Sequence, residues 1–128
     1  MMNDHNEHKK ADMSEVEKWM EQFFLDPLTS YMDQLTFRID LYETHTHIIV
    51  EALLPDVDPE DIDIVLEDYN MTIAAKKKNK ESCSRKIELP FRVADKRVHA
   101  HFANGILEVW IDKYRSGNGK KRYIIISE

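Results

Sequence analysis

The chain has 128 residues, the length of one domain with tails, and carries 18 Lys and Arg against 24 Asp and Glu, a formal charge of −6. No apolar run exceeds four residues, far short of the roughly 20 that a membrane helix needs, and the polar N-terminus lacks the apolar segment of a secretory signal. The single cysteine, Cys83, excludes an internal disulfide and a zinc site built from Cys pairs, and three glycines are too few for a phosphate-cradling loop.

Residues 1–12 are polar, without periodicity, and read as disordered. From Met13 the spacing turns helical: Met13, Val16, Met20, Phe23 and Phe24 recur at intervals of three and four, with Trp19 beside them. Ser14 and Glu17 have the spacing of a capping box. Asp26-Pro27 ends this helix, because the residue before proline is pushed out of the helical region. The pattern predicts an amphipathic helix over 13–26 and a loop-like stretch from Leu28 to Thr36, together an arm over 1–36. Its aromatic and methionine face either packs on its own domain or docks partners; Trp19, Met20, Phe23, Phe24 and Tyr31 are the candidate partner-binding residues.

After residue 36 the period falls to two, the mark of half-buried strands. Phe37, Ile39 and Leu41 form one inward set, and Ile48, Val50, Ala52 and Leu54 the next. Ile62, Ile64 and Leu66 follow, then Met71, Ile73 and Ala75. Ile87 and Leu89 make a short strand that stops at Pro90. Val98, Ala100 and Phe102 run into Asn104-Gly105, a two-residue hairpin signal, and Leu107, Val109 and Ile111 return. Short alternating strands separated by turns predict an all-β, immunoglobulin-like antiparallel β-sandwich over 37–113. Residues 114–128 form a C-terminal extension. Its Lys-, Arg-, Ser- and Gly-rich part, Tyr114 to Arg122, reads as a solvated linker. It ends in Ile124-Ile125-Ile126, an apolar cluster that either fills a binding site or forms a last edge strand.

The charge is unevenly placed. Residues 1–75 hold 4 basic and 18 acidic side chains, whereas residues 76–128 hold 14 and 6. Such a split suits head-to-tail association or a polyanion-binding module, or two halves that interleave and neutralise each other. His45-x-His47 and His99-x-His101 place imidazoles two apart, where they bind a metal, switch with pH, or simply face water. Cys83, between Ser82 and Ser84 in a polar stretch near Lys80 and Arg85, is either a reactive thiol or an inert exposed one. No carboxylate pair stands beside a nucleophile, so no catalytic residue, metal or cofactor is expected.

Five motifs together resemble the small heat-shock protein (alpha-crystallin) family. Leu54-Pro55-Asp56-Val57 resembles its Leu-Pro-Gly-Val corner, with Asp in place of Gly, and Glu60-Asp61-Ile62 its approach to the next strand. Arg85 to Leu89-Pro90 resembles Arg-x-x-x-Leu-Pro. Ala100, Asn104, Gly105 and Leu107 fit Ala-x-x-x-Asn-Gly-Val-Leu, and Ile124-Ile125-Ile126 fits the C-terminal Ile-x-Ile. A narrower resemblance links Trp19, Gln22-Phe23-Phe24, Asp26-Pro27, Tyr31 and Asp40 to Thr44 with the spore-coat-associated members of bacilli. The resemblance implies an alpha-crystallin domain in an ATP-independent holdase that binds partly unfolded client proteins and forms homo-oligomers. It implies a location in the cytoplasm or the spore coat, with coat proteins as alternative partners, and no small-molecule substrate, nucleic acid or membrane. It also implies that Ile124 and Ile126 dock in a neighbouring subunit's groove, here near Ile64 and Val98. One departure stands out. The connection Lys77 to Ser84 is too short for the long excursion through which bacterial members exchange a strand, so a strand-swapped dimer is not expected.

Overall fold

The computed structural model describes residues 15–128. The sequence expectations for 1–12, for Met13 and for the Ser14 cap lie outside that range. Two helices come first, α1 over 15–25 and α2 at Pro27–Leu35. The expected loop from Leu28 to Thr36 is thus mostly helix. Asp26-Pro27 does end α1, but the same dipeptide starts α2: Asp26 Oδ1 accepts the Leu28 N–H at 2.9 Å as an N-cap, and proline at the first helical position lacks only a donor that would have no partner there.

Nine strands follow. They are β1 (Ile39–Glu43), β2 (His47–Leu53), β3 (Ile62–Glu67), β4 (Asn70–Lys76), β5 (Ser82–Glu88), β6 (Lys96–Ala103), β7 (Ile106–Ser116), β8 (Arg122–Tyr123) and β9 (Ile126–Ser127). One sheet has the order β1-β2-β7-β6-β9 and the other β5-β4-β3-β8, giving the expected β-sandwich. Ladders between the main strands are antiparallel, and only β6–β9 is parallel. The inward residues alternate as predicted: Ile62, Ile64 and Leu66 on β3 face Val50 and Ala52 on β2 and Val109 and Ile111 on β7 within one buried core.

β5 begins earlier than the alternation suggested. Ser82, Cys83 and Ser84 pair with Lys76, Ala75 and Ala74, which leaves a five-residue hairpin loop over 77–81. Cys83 therefore lies in a strand rather than a polar loop. Its Sγ faces the Ala75 carbonyl at 3.8 Å, and burial pushes the thiol pKa up, away from the thiolate that reactivity requires.

Two of the sequence motifs touch. Asn104 and Gly105 both have positive φ, 54° and 77°, as the tight hairpin turn requires. Gly105 O accepts the Leu54 N–H at 2.7 Å, and a Cβ on Gly105 would stand 3.0 Å from Pro55 Cα. The Leu-Pro corner and the Asn-Gly turn are thus one packing unit. Leu89, Ala100 and Leu107 are core residues.

Candidate functional site

In a two-sheet sandwich the sides between edge strands stay open unless something covers them. Here β1 and β5 border one side and β3 and β6 the other. The arm covers the first and the tail covers the second.

The arm is anchored through its inner face. Val16 is fully buried in the core, and Trp19, Met20 and Phe23 pack against it. Trp19 Nε1–H donates to the Glu88 carbonyl at the end of β5, 2.9 Å away. Charge fastens α2. The Arg85 side chain is 6% exposed; its Nη1 donates to Asp33 Oδ1 at 2.7 Å and to the Phe37 carbonyl at 2.8 Å. The same Asp33 oxygen accepts the Ile39 N–H at 3.2 Å, so one carboxylate ties helix, strand β1 and strand β5 together. The seal is incomplete: a cleft of about 340 Å³ remains among Phe23, Leu28, Met32 and Ile87.

Large apolar side chains of the arm are also exposed. Phe24, Leu25, Leu28, Tyr31 and Leu35 are 48%, 80%, 59%, 58% and 57% exposed. Leu28, Tyr31 and Leu35 are spaced by three and four, so they line one stripe of α2. The structure therefore divides the five partner-binding candidates. Trp19, Met20 and Phe23 point toward the sandwich, whereas Phe24 and Tyr31 remain outside. Leu25, Leu28 and Leu35 escaped the sequence reading. The helical spacing of the last two was the signal, hidden by reading the segment as loop.

At the opposite side the tail folds back onto its own chain. Tyr123 and Arg122 pair with Val65 and Leu66 of β3, and the Ile124 N–H donates to the Ile64 carbonyl at 2.9 Å. Ile126 and Ser127 then run parallel to Ala100 and His101 of β6, with Ser127 Oγ donating to the Ala100 carbonyl at 3.0 Å. Ile124 and Ile126 pack on the core beside half-buried Val98, while Ile125 between them is 91% exposed. The apolar cluster thus lies along the edges of β3 and β6 of its own chain. Half-burying two isoleucines is worth roughly 1 kcal/mol each, about half of the 1.5–3 kcal/mol for burying a large aliphatic side chain fully. Within one chain, the association cost of about 4–15 kcal/mol met by a separate molecule does not arise.

The remaining candidates fall elsewhere. His45 lies in the turn before β2, so it shares no strand face with His47. Instead His47 and His99 flank Trp110 across three strands, with ring centroids 5.4 and 5.9 Å from it, and His47 Nε2 lies 3.6 Å from Asp112 Oδ2. Asp112 feels upward pressure from partial burial. The N–H groups of Tyr114 and Arg115, and the nearby charges of His47 and Arg115, outweigh it and hold the carboxyl pKa below its usual value. Among the described residues no cluster of three His, Cys, Asp or Glu side chains is arranged to hold a metal ion, and no helix is long and apolar enough to cross a membrane. Much of the basic half is engaged internally. Arg85 binds Asp33, Arg92 binds Asp68 and Asp95, and Lys113 binds Glu43 and the Thr44 carbonyl.

The sequence profile of the Hsp20/alpha crystallin family matches residues 40–127, which takes in both sheets and the tail. The chain belongs to this family. Spore coat protein M of Bacillus subtilis (strain 168) is 30% identical over 88% of this chain and 84% of its own length. Small heat shock protein C2 of Rickettsia felis is 30% identical over 78% and 75%. Heat shock protein 16.0 of Schizosaccharomyces pombe, a solved structure, superposes with a TM-score of 0.51 at 29% identity, covering 66% of this chain and 92% of that one. On the small heat-shock fold, the described arm contributes an exposed apolar helix and the tail fills a groove.

Proposed function

We propose that this chain is an ATP-independent holdase that keeps partly unfolded proteins from aggregating and assembles through its two ends. The observation that carries the reading is the apolar exposure of the arm: Phe24, Leu25, Leu28, Tyr31 and Leu35 are each about half exposed or more on two short helices. Large exposed apolar patches mark interaction surfaces, and flexible or aromatic groups adapt to irregular client surfaces. Trp19, Met20 and Phe23, on the inner side of the same arm, hold it to the sandwich. The acidic excess of the chain supports solubility of a loaded complex. Membership of the small heat-shock family gives the reading its class, and no catalysis is needed for it.

A second reading, a structural component of the spore coat, is favoured by the 30% identity with Spore coat protein M over most of the chain. One experiment separates the two. Light scattering of a heat-unfolding client is followed with the wild-type chain and with Leu28→Ser/Tyr31→Ser/Leu35→Ser. The holdase predicts suppression by the wild type at near-equal molar ratio and loss of suppression in the variant, with an unchanged circular dichroism spectrum. A wild-type chain that suppresses nothing and fractionates with insoluble coat overturns the holdase in favour of the coat. The polyanion-binding reading has less support, since Arg85, Arg92 and Lys113 are committed to internal partners.

A further inference from the structure

β5 is an edge strand: in its sheet it pairs with β4 alone. Alternation fixes which of its backbone groups are spare. Glu81 O accepts the Lys77 N–H and the Leu89 N–H donates to Tyr69 O, both at 2.8 Å, so the odd-numbered residues between them bond to β4. Ser84, Lys86 and Glu88 therefore turn their N–H and C=O groups to the open side. Among the described residues, the one bond to that outward row is the Trp19 indole N–H on the Glu88 carbonyl. A side-chain donor there takes the place of a neighbouring strand's N–H. The cleft of about 340 Å³ opens beside the same row, between Phe23, Leu28 and Met32 of the arm and the stretch of β5 from Arg85 to Glu88.

We propose that this edge is where the holdase grips a client: an extended segment adds as a further strand on β5 and puts an apolar side chain into the cleft under the arm. The proposal rests on the holdase reading and names the place and the conformation in which the client is held. Strand addition satisfies the spare backbone groups of Ser84 and Lys86 without reading side chains, which suits clients of unrelated sequence. Selection comes from alternation. Client residues bonded to Ser84 and Lys86 face solvent, and those between them, opposite Arg85 and Ile87, share the inward face and enter the cleft. The segment is thus apolar at every second position, with an acidic residue favoured opposite Lys86. Stretches of this kind form half-buried strands in folded proteins and are uncovered when those proteins open. A second copy's β5 fits less well. It would bring Cys83, Arg85 and Ile87 to the inward face, its Arg85 is tied to its own Asp33, and its own arm lies along the same edge.

The test measures binding of a labelled synthetic peptide of about six residues, an ordinary strand length, in which Val and Phe alternate with Thr and Glu. The full chain should bind it. N-methylation of the Thr and Glu nitrogens, which face Ser84 and Lys86, should weaken binding about tenfold, the worth of one or two hydrogen bonds. N-methylation of the Val and Phe nitrogens, which face away, should leave binding unchanged. Lys86→Pro removes an outward N–H without touching the β4 ladder and should weaken binding of the unmethylated peptide by a similar factor, at an unchanged urea midpoint. The methylated pair leaves the protein unaltered, so it decides even where Lys86→Pro does not fold. Equal binding of the two methylated peptides, or no binding by a chain that still suppresses client scattering, overturns the strand site and leaves the holdase standing. Methylation-sensitive binding by a chain that suppresses no scattering supports the strand site and overturns the holdase. A fall in native mass with Lys86→Pro, and no effect on the peptide, gives the edge to a second copy and overturns the proposal.

Discussion

The two ends of the chain cover opposite sides of the same sandwich by different means. The arm relies on side chains: a buried valine, an indole N–H on a carbonyl, and the Arg85–Asp33 pair. The tail relies more on backbone: short ladders to β3 and β6 and a turn built on the carbonyls of 94–96, to which Ile124, Ile126 and the Arg122 guanidinium add side-chain contacts. Side-chain anchorage reaches the core and couples the arm to the whole domain, because loss of Val16 or Arg85 is felt where the sheets meet. Backbone anchorage at an edge breaks locally, two or three hydrogen bonds at a time. The arm should therefore unfold with the sandwich and the tail ahead of it.

The largest expected effect breaks the arm side of this contrast. Arg85→Ala removes one partner of a mostly buried ion pair, leaves Asp33 with only the Ile39 N–H and takes the donor from the Phe37 carbonyl. The cost should be about 3 kcal/mol, the low end of the range for such pairs because Asp33 is partly exposed. Urea unfolding should show a lower midpoint in a single transition, and limited proteolysis should cut between α2 and β1. A normal midpoint would mean that the arm is as loosely coupled as the tail, and the contrast would disappear.

The sandwich itself was legible because strict alternation at positions such as Ile62, Ile64 and Leu66 leaves one register that puts this apolar set in the core. Asn104-Gly105 was legible because few dipeptides accept two positive φ values. What stayed hidden was long-range or ambiguous. Asp33 and Arg85 lie 52 residues apart, and no local pattern announces a pair at that separation. Asp26-Pro27 stops one helix and starts another with the same two residues, and a sequence reader sees the stop first. Gly117 and Gly119 look like flexibility, although here they permit close approach and a left-handed turn that fixes the chain. The bonds of Arg122 to the Ala94 and Lys96 carbonyls were hidden for the same reason, since it is one cation among several in a basic stretch.

A smaller effect sharpens how the arm is held. Trp19→Phe keeps most of the aromatic packing and removes the Nε1–H donated to the Glu88 carbonyl. The loss should be about 1 kcal/mol, the net value of one hydrogen bond, measurable as a modest fall in the urea midpoint. Compared with Arg85→Ala, this ratio divides the anchorage between α1 and α2. If the two substitutions cost the same, the indole rather than the guanidinium is the main fastening, and α2 contributes chiefly its exposed stripe.

The smallest expected effect tests whether either end answers to pH. Asp40, Glu51, Glu108, His101 and Ser127 are successive register partners on five strands, so one polar row crosses the sheet from the arm's edge to the tail's. Partial burial, then the neighbouring Asp40 and Glu108 carboxylates, push the Glu51 pKa above its ordinary value of 4.5. A carboxyl raised in the folded state binds its proton more tightly there than in the unfolded chain. Folding is therefore least burdened below the ordinary value, and the burden grows as pH rises through the raised one. Glu51→Gln removes that burden. The variant should match the wild type at acid pH and exceed it at pH 7 by about 0.2–1 kcal/mol, the scale of a like-charge cross-strand pair. Because Glu51 sits on β2, between the two covered sides, the gain should appear in global unfolding while amide exchange at Ile124 and the arm's protease sensitivity stay as they were. A change confined to one end would show that pH acts on that end's closure rather than on the sheet that both ends share.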